Sequence, residues 1–319
     1  GGGLPRRVTA DKIADTMLLK HLQYLTALAT ERHFARAAAV CHVTQPTLSA
    51  GIKQLEEQLG LLVVQRGQRF EGLTAEGERV LAWARRITAD AQSLAQEASR
   101  LRHALVGRLR LGVVPTALPA VPVLASPLAQ RHPGVTLTVV SSTSAGIQAG
   151  IDEFRIDAGI TYLDNEPLSH VKTFPLYRER YLLVTPVGSP LAGQARATWR
   201  EVASMPLCLL TADMQNRRIL NSHFAEAGAE VSPALETNSV FTLCQLVRSG
   251  YWSSVLPHGF LPMLLGAEGV AVVPLEGSLA AHTVALVVPA REPLPPTVAV
   301  LLDLLGGLDW SAVAGEGVA

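Results

Sequence analysis

Hydrophobic residues in the first third of the chain recur at intervals of three and four, the period of helices with one buried face. Leu22, Leu25 and Leu28 mark one such helix, Phe34, Ala37 and Ala38 a shorter second, and Leu48, Ile52, Leu55 and Leu59 a third. Between the last two lies Ala37-Ala38-Ala39-Val40-Cys41-His42-Val43-Thr44-Gln45-Pro46-Thr47-Leu48-Ser49. Two helices crossing at a tight turn need small residues at the contact and a capping side chain where the second begins. Thr44 can accept a hydrogen bond from an early backbone N–H, and Pro46 falls in the first turn, where its missing donor costs nothing. The third helix is therefore predicted to start near Gln45. Its outer side carries Gln45, Ser49 and Lys53 at four-residue spacing with Thr47 beside them, so hydrogen-bonding groups and a cation project together, as entry into a major groove requires. An amphipathic helix taken singly is most often an ordinary solvated surface helix. The two helices before it and the basic run Gln65-Arg66-Gly67-Gln68-Arg69 after it turn the reading to a winged helix-turn-helix.

A second pattern follows. Val80, Ala84, Ile87, Ala91, Leu94, Ala98, Leu101 and Leu105 alternate spacings of four and three, a heptad stripe on one long helix. Small and large layers alternate along it, which permits close approach of two copies and predicts an antiparallel homodimer through residues 80–105; packing on the chain's own core is the alternative. After Gly107 the pattern changes to short apolar runs. Strands are predicted at 109–114, 135–140, 158–162, 181–185, 207–211, 269–274 and 283–288, and helices at 120–132, 147–154, 216–226 and 240–248. Alternating strands and helices predict parallel sheets with covering helices.

Residues 19–82 resemble the N-terminal domain of the LysR-type transcriptional regulators. The matching residues are Leu22-Gln23-Tyr24, Phe34-Ala35-Arg36-Ala37-Ala38, Val43-Thr44-Gln45-Pro46-Thr47-Leu48-Ser49, Ile52-Lys53-Gln54-Leu55-Glu56, Leu59-Gly60 and Leu73-Thr74-Ala75-Glu76-Gly77. The resemblance implies that Thr44, Gln45, Pro46, Thr47, Ser49 and Lys53 contact bases and phosphates, and that Arg66 of the wing lies on the backbone of promoter DNA; Arg69 of the same basic run is a further DNA-binding candidate. Where the family has a long polar pair after the serine, this chain has Ala50-Gly51, which removes two polar contacts and places a glycine inside the helix. More loosely, the later residues resemble the same family's sensor. The expected fold is thus an α+β multidomain chain: an extension over 1–17, expected to be disordered; a winged helix-turn-helix over 18–77; a linker and dimerisation helix over 78–106; and a periplasmic-binding-protein-like α/β effector domain over 107–319. Its two subdomains are expected at about 108–184 with 282–319 and at about 185–281.

Ligands of open α/β sheets collect at strand ends, beside helix N-termini. Thr116 follows the first strand, Ser144 opens the helix after the second, Thr161 lies in the third, and Thr211 ends the strand before Gln215 and Asn216. By resemblance, Thr116 and Ser144 match polar inducer contacts and Thr211 a cleft wall; each is otherwise simply a helix cap. Arg217 or Arg218 could neutralise a carboxylate. A small organic anion is the expected effector. Trp252, where the family tends to a glycine-rich turn, is expected to narrow the cleft. The run Thr161-Tyr162-Leu163-Asp164-Asn165-Glu166-Pro167 resembles regulators of formate oxidation genes, so formate or another small carboxylate is the favoured ligand.

Composition agrees with a regulator. The 319 residues are 48% hydrophobic with zero formal net charge. Residues 1–105 hold 14 Lys/Arg against 10 Asp/Glu, and the remainder 13 against 17, so a mild basic excess sits with the proposed reader. The nine histidines fall into no catalytic motif with a carboxylate and a nucleophile, no glycine-rich phosphate loop occurs, and catalysis is not expected. Cys41, Cys208 and Cys244 lack metal-ligand spacing, so no metal or cofactor is expected. Few cysteines, no apolar run of the roughly 18 residues needed to span a membrane, and no signal-type core point to the cytoplasm. Some relatives in the family sense peroxide through two sensor-domain cysteines, for which Cys208 and Cys244 are the candidates; their apolar context instead suits buried structural thiols. Expected partners are double-stranded promoter DNA, a second copy, a homotetramer built from two such dimers, and RNA polymerase.

Overall fold

The computed structural model describes residues 18–65, 70–102, 104–164, 166–264, 268–276 and 282–314. The extension at 1–17 and the wing arginines Arg66 and Arg69 lie outside the described residues. The chain divides into two compact units, residues 1–98 and 99–319.

The first unit is built on α1 (Leu19–Glu31), α2 (Phe34–Val40), α3 (Gln45–Leu59) and most of α4 (Ala75–Arg102). Thr44 caps α3, its hydroxyl accepting the Thr47 N–H at 3.4 Å, and Gly60 ends the helix in the left-handed conformation at φ 68°. Leu22, Leu25, Leu28, Ala37, Ala38, Leu48, Ile52 and Leu55 form one buried core. Glu56 accepts the backbone N–H groups of Val63 and Val64 at 2.8 and 3.1 Å, holding the start of the wing, where Val64 bridges Leu73.

Gly51 faces inward rather than outward. A Cβ there would lie 2.6 Å from the Tyr24 ring, so the residue lets α3 cross α1 closely. The expected loss of two polar contacts therefore reduces to one, at exposed Ala50.

The stripe on α4 divides. Gly77, Leu81, Ala84 and Thr88 are its buried face, packed on the unit's own core with Val80 and Ile87 at its edge. A Cβ at Gly77 would meet the Val63 carbonyl oxygen at 2.1 Å, and this close approach seats the helix on the backbone at Val63. The second half is open, Leu94 and Leu101 being 71% and 75% exposed. Leu105 falls beyond the helix and is buried in the core of the second unit, which corrects its assignment to the stripe.

The second unit has two lobes. The first carries β1 (Gly107–Val113), α5 (Val121–Arg131), β2 (Val135–Ser141), α6 (Ser144–Asp152), β3 (Ala158–Tyr162) and β4 (Val171–Glu179). The second carries β5 (Tyr181–Pro186), α7 (Trp199–Ala203), β6 (Cys208–Leu210), α8 (Gln215–Glu226), β7 (Leu235–Thr237), α9 (Val240–Arg248), β8 (Ser254–Pro257), α10 (Leu261–Leu264) and β9 (Val270–Pro274). The chain then returns to the first lobe as β10 (His282–Pro289), α11 (Pro296–Leu305) and α12 (Ser311–Ala314).

The first sheet runs β2-β1-β3-β10-β4 and the second β8-β5-β9, with β6 and β7 paired beside it through a Leu207–Ser253 bridge. β1 is parallel to β2 and β3, as expected, but β10 is antiparallel to both its neighbours, and so is β5. Among the described residues only the β6–β7 pair is wholly parallel; the two larger sheets are mixed or antiparallel, because strands that carry the chain between lobes re-enter in the opposite direction. The first crossing is at Arg180, since β5 is already the centre of the second sheet.

Gly51→Ala is expected to destabilise the first unit by about 1–3 kcal/mol through overpacking against Tyr24, despite the helix propensity of alanine, better by about 1 kcal/mol. Urea unfolding followed by circular dichroism checks this; a gain in stability would mean the Tyr24 ring moves aside without cost.

Candidate DNA-reading face and lobe interface

On α3, Thr44, Gln45, Pro46, Thr47 and Lys53 are exposed and Ser49 is half-buried, while Leu48, Ile52 and Leu55 turn into the core. Lys53 Nζ lies 4.0 Å from Glu57 on the open surface. Such a pair is worth little in water, so the cation remains available to a phosphate.

Five of the six residues expected at the lobe interface fall into three groups. Thr116, at the turn after β1, shares a 2.7 Å hydrogen bond with the Tyr162 hydroxyl, which also donates to Glu179. Asn216, in the first turn of α8, reaches the hydroxyls of Tyr162 and Tyr181 at 3.4 and 3.3 Å. Thr161 donates to Gln215 at 3.2 Å, and Gln215 donates to the Asp164 carbonyl at 2.8 Å. Ser144, at the start of α6, donates to Glu166 at 2.6 Å; Arg218 of α8 holds the other oxygen of that carboxylate through Nε at 2.6 Å and also through Nη2. Thr211 stands apart, its hydroxyl buried and without a hydrogen-bond partner. Arg217 is committed within the second lobe, to the Leu210 carbonyl at 2.8 Å and to Glu236 at 2.5 Å.

Glu179, Tyr162 and Tyr181, which sequence reasoning did not single out as site residues, are the centre of this interface. All three are buried, Tyr162 at the end of β3 and Glu179 and Tyr181 where β4 passes into β5. Burial pushes the Glu179 carboxyl up to about 8, against hydrogen bonds from the two tyrosines that favour the anion. The run from Tyr177 to Tyr181 is rich in charge and reads as surface, so nothing local announced a buried acid. Close by, His223 and His282 face each other at 2.9 Å between Nε2 atoms, with Trp199 stacked on His223. Burial lowers both imidazoles.

A cavity of about 750 Å³ opens beside this network, walled by Leu118 and Pro119 of the first lobe and Met214, Phe241, Phe260 and Met263 of the second. None of the six expected residues lines it, and neither does any lysine, arginine or histidine among the described residues. Trp252 does not narrow it either, because its ring packs against the second-lobe core around Cys208 and Cys244.

A helix-turn-helix followed by a two-lobed sensor matches two family descriptions: "Bacterial regulatory helix-turn-helix protein, lysR family" over residues 19–78 and "LysR substrate binding domain" over residues 102–308. The chain belongs to the LysR family of bacterial transcription regulators. It is a regulator and not an enzyme. It is 29% identical over 279 residues to a hydrogen peroxide-inducible genes activator of Dickeya chrysanthemi, covering 87% of this chain and 91% of that one. It is 31% identical over 245 residues to a probable activator of the same name from Mycobacterium avium, covering 76% and 78%. Among solved structures it resembles a full-length cysteine-to-aspartate variant of OxyR from Pseudomonas aeruginosa, with TM-score 0.74 and 29% identity over 93% of this chain and 99% of that one. Full-length CbnR in complex with its target DNA shares the fold, with TM-score 0.65 and 21% identity over 91% and 99%.

LysR regulators bind promoter DNA, which agrees with the exposed face of α3. Among the described residues no helix is long and apolar enough to cross a membrane, and no cluster of three or more metal-ligating side chains occurs. Cys208 in β6 and Cys244 in α9 are free thiols in one buried cluster, each pushed up to about 11 by burial.

The raised Glu179 carboxyl has a definite pH signature. An acid that holds its proton more tightly when folded stabilises the protein below its ordinary value near 4.5, and this contribution is lost as pH rises toward 8. The lowered histidines act with the opposite sign around their ordinary value of 6.5. Glu179→Gln isolates the carboxyl: melting temperatures taken from about pH 5 to pH 8 should fall more steeply for the wild type than for the variant. Parallel profiles would mean that Glu179 titrates normally.

Proposed function

We propose that the chain reads promoter DNA through Thr44, Gln45, Pro46, Thr47, Ser49 and Lys53, pairs with a second copy through the open half of α4, and takes its signal at the lobe interface. The observation that carries this reading is the row of exposed polar side chains on a capped helix whose opposite face is core. The 71% and 75% exposure of Leu94 and Leu101, on one side of a helix, supports the pairing. Two such dimers make a tetramer, and a ligand that prefers one lobe arrangement by a few kcal/mol is enough to change the spacing of readers on bent DNA.

Relatives named hydrogen peroxide-inducible genes activators favour an oxidant as the input, with Cys208 and Cys244 as the reacting pair. With thiols near 11, only about one in ten thousand is thiolate at neutral pH, so the pair reacts once the second-lobe core opens. A second reading, a small organic anion such as formate or another small carboxylate, is supported by a different observation: Ser144 and Arg218 converge on a carboxylate at the lobe boundary.

Gln45→Ala is expected to weaken operator binding by about 1–3 kcal/mol and random DNA far less, whereas Lys53→Ala weakens both alike. Mobility shifts on operator and scrambled duplexes decide this, and equal losses for Gln45→Ala would overturn the assignment. For the input, the Cys208→Ser, Cys244→Ser double variant should lose any peroxide-dependent change in footprint; a retained change removes the thiol pair.

A further inference from the structure

The Glu166 carboxylate is held as a bound anion would be held. One oxygen accepts from Ser144, a buried hydroxyl of the first lobe, at 2.6 Å, and the other accepts from Arg218 of the second lobe, whose Nη2 also lies 3.4 Å from Ser144 Oγ. Arg218 is aimed by a further 3.0 Å hydrogen bond from Nη1 to the Ala212 carbonyl. Both donors come from helices, whereas Glu166 comes from the irregular segment between β3 and β4. The seat is thus built on rigid elements and its occupant is carried on a loop. The Arg218 and Glu166 side chains are 39% and 28% exposed, so solutes reach the seat.

We propose that Glu166 is a tethered occupant of an anion seat formed by Ser144 and Arg218, and that a free small monocarboxylate binds there by exchange with it. The exchange conserves charge: one carboxylate leaves the guanidinium and another replaces it, while Glu166 swings into water. It also replaces a link within the chain, between the lobes, by a ligand that holds Ser144 and Arg218 with no tie to the β3–β4 segment. A tethered group competes at an effective concentration in about the millimolar range or above, so the wild type binds a free carboxylate weakly and loss of the tether tightens binding. The consequence for gene control rests on the anion reading given above; the existence of the seat does not.

The test uses the full chain, with sodium formate and sodium acetate as probes and sodium chloride at matched ionic strength as control. Glu166→Ala is expected to melt below the wild type and to be restored by formate or acetate with a midpoint about ten-fold lower than the wild type's. Arg218→Ala added to it should abolish the restoration. Glu166→Gln, which keeps the side-chain volume and loses the charge, covers the case in which the alanine variant does not fold, and should show the same carboxylate-specific shift to a smaller degree. No shift beyond the wild type's, or an equal shift with chloride, overturns the proposal. Operator binding measured in parallel separates the two ideas: a filled seat with unchanged operator binding upholds the seat and removes the anion as input, whereas a carboxylate that alters wild-type operator binding without filling the Glu166→Ala seat upholds the input and removes the seat.

Discussion

A buried carboxyl group lies where the chain first passes between the two sensor lobes, and the polar side chains around it satisfy it. Glu179 is 1% exposed, and an unpartnered acid there would cost several kcal/mol. Tyr162 donates to it from the first sheet, Tyr181 adjoins it from the second, and Thr116 and Asn216 complete the set from the two flanking lobes. A network that draws donors from both lobes holds its geometry only while the lobes keep their present arrangement.

The same constraint separates two kinds of surface at the lobe boundary. Several polar residues near strand ends are spent on one another, Thr116 on Tyr162, Thr161 on Gln215 and Ser144 on Glu166, whereas the Thr211 hydroxyl has no partner. The neighbouring cavity has mostly apolar walls, with Ser141, Ser142, Asn238 and Ser239 as its polar lining, and no cation among its described lining residues. The paired guanidinium and the empty volume thus lie at different places, the first at Arg218 and the second around Met214 and Phe241. An anion and an oxidant make different demands on this interface. The former needs the guanidinium, and the latter needs access to thiols buried in the second-lobe core.

In the first unit, close packing at glycines performs the corresponding task. Gly51 brings α3 against Tyr24 and Gly77 brings α4 against the backbone of Val63, so the outer face of α3 is positioned by contacts on its inner face. The long helix then runs out of that core, which is why its stripe is buried at Ala84 and open at Leu94. A heptad pattern alone does not distinguish these halves, because both present the same spacing.

The sequence by itself determined the helix-turn-helix, the start of α3 at Gln45, the inward and outward faces of that helix, and most strands of the sensor, because each depends on spacing and capping within a few residues. It left β4 unseen, since that edge strand mixes exposed, half-buried and buried positions without a strict apolar alternation. Only the tertiary structure decided which polar groups meet. Glu179 joins Tyr162 across 17 residues, and Ser144 meets Arg218 across 74, pairings with no local signature. Burial is a property of what folds over a residue and not of its neighbours in the chain, so a charged run such as Tyr177 to Tyr181 reads as surface until two lobes close around it.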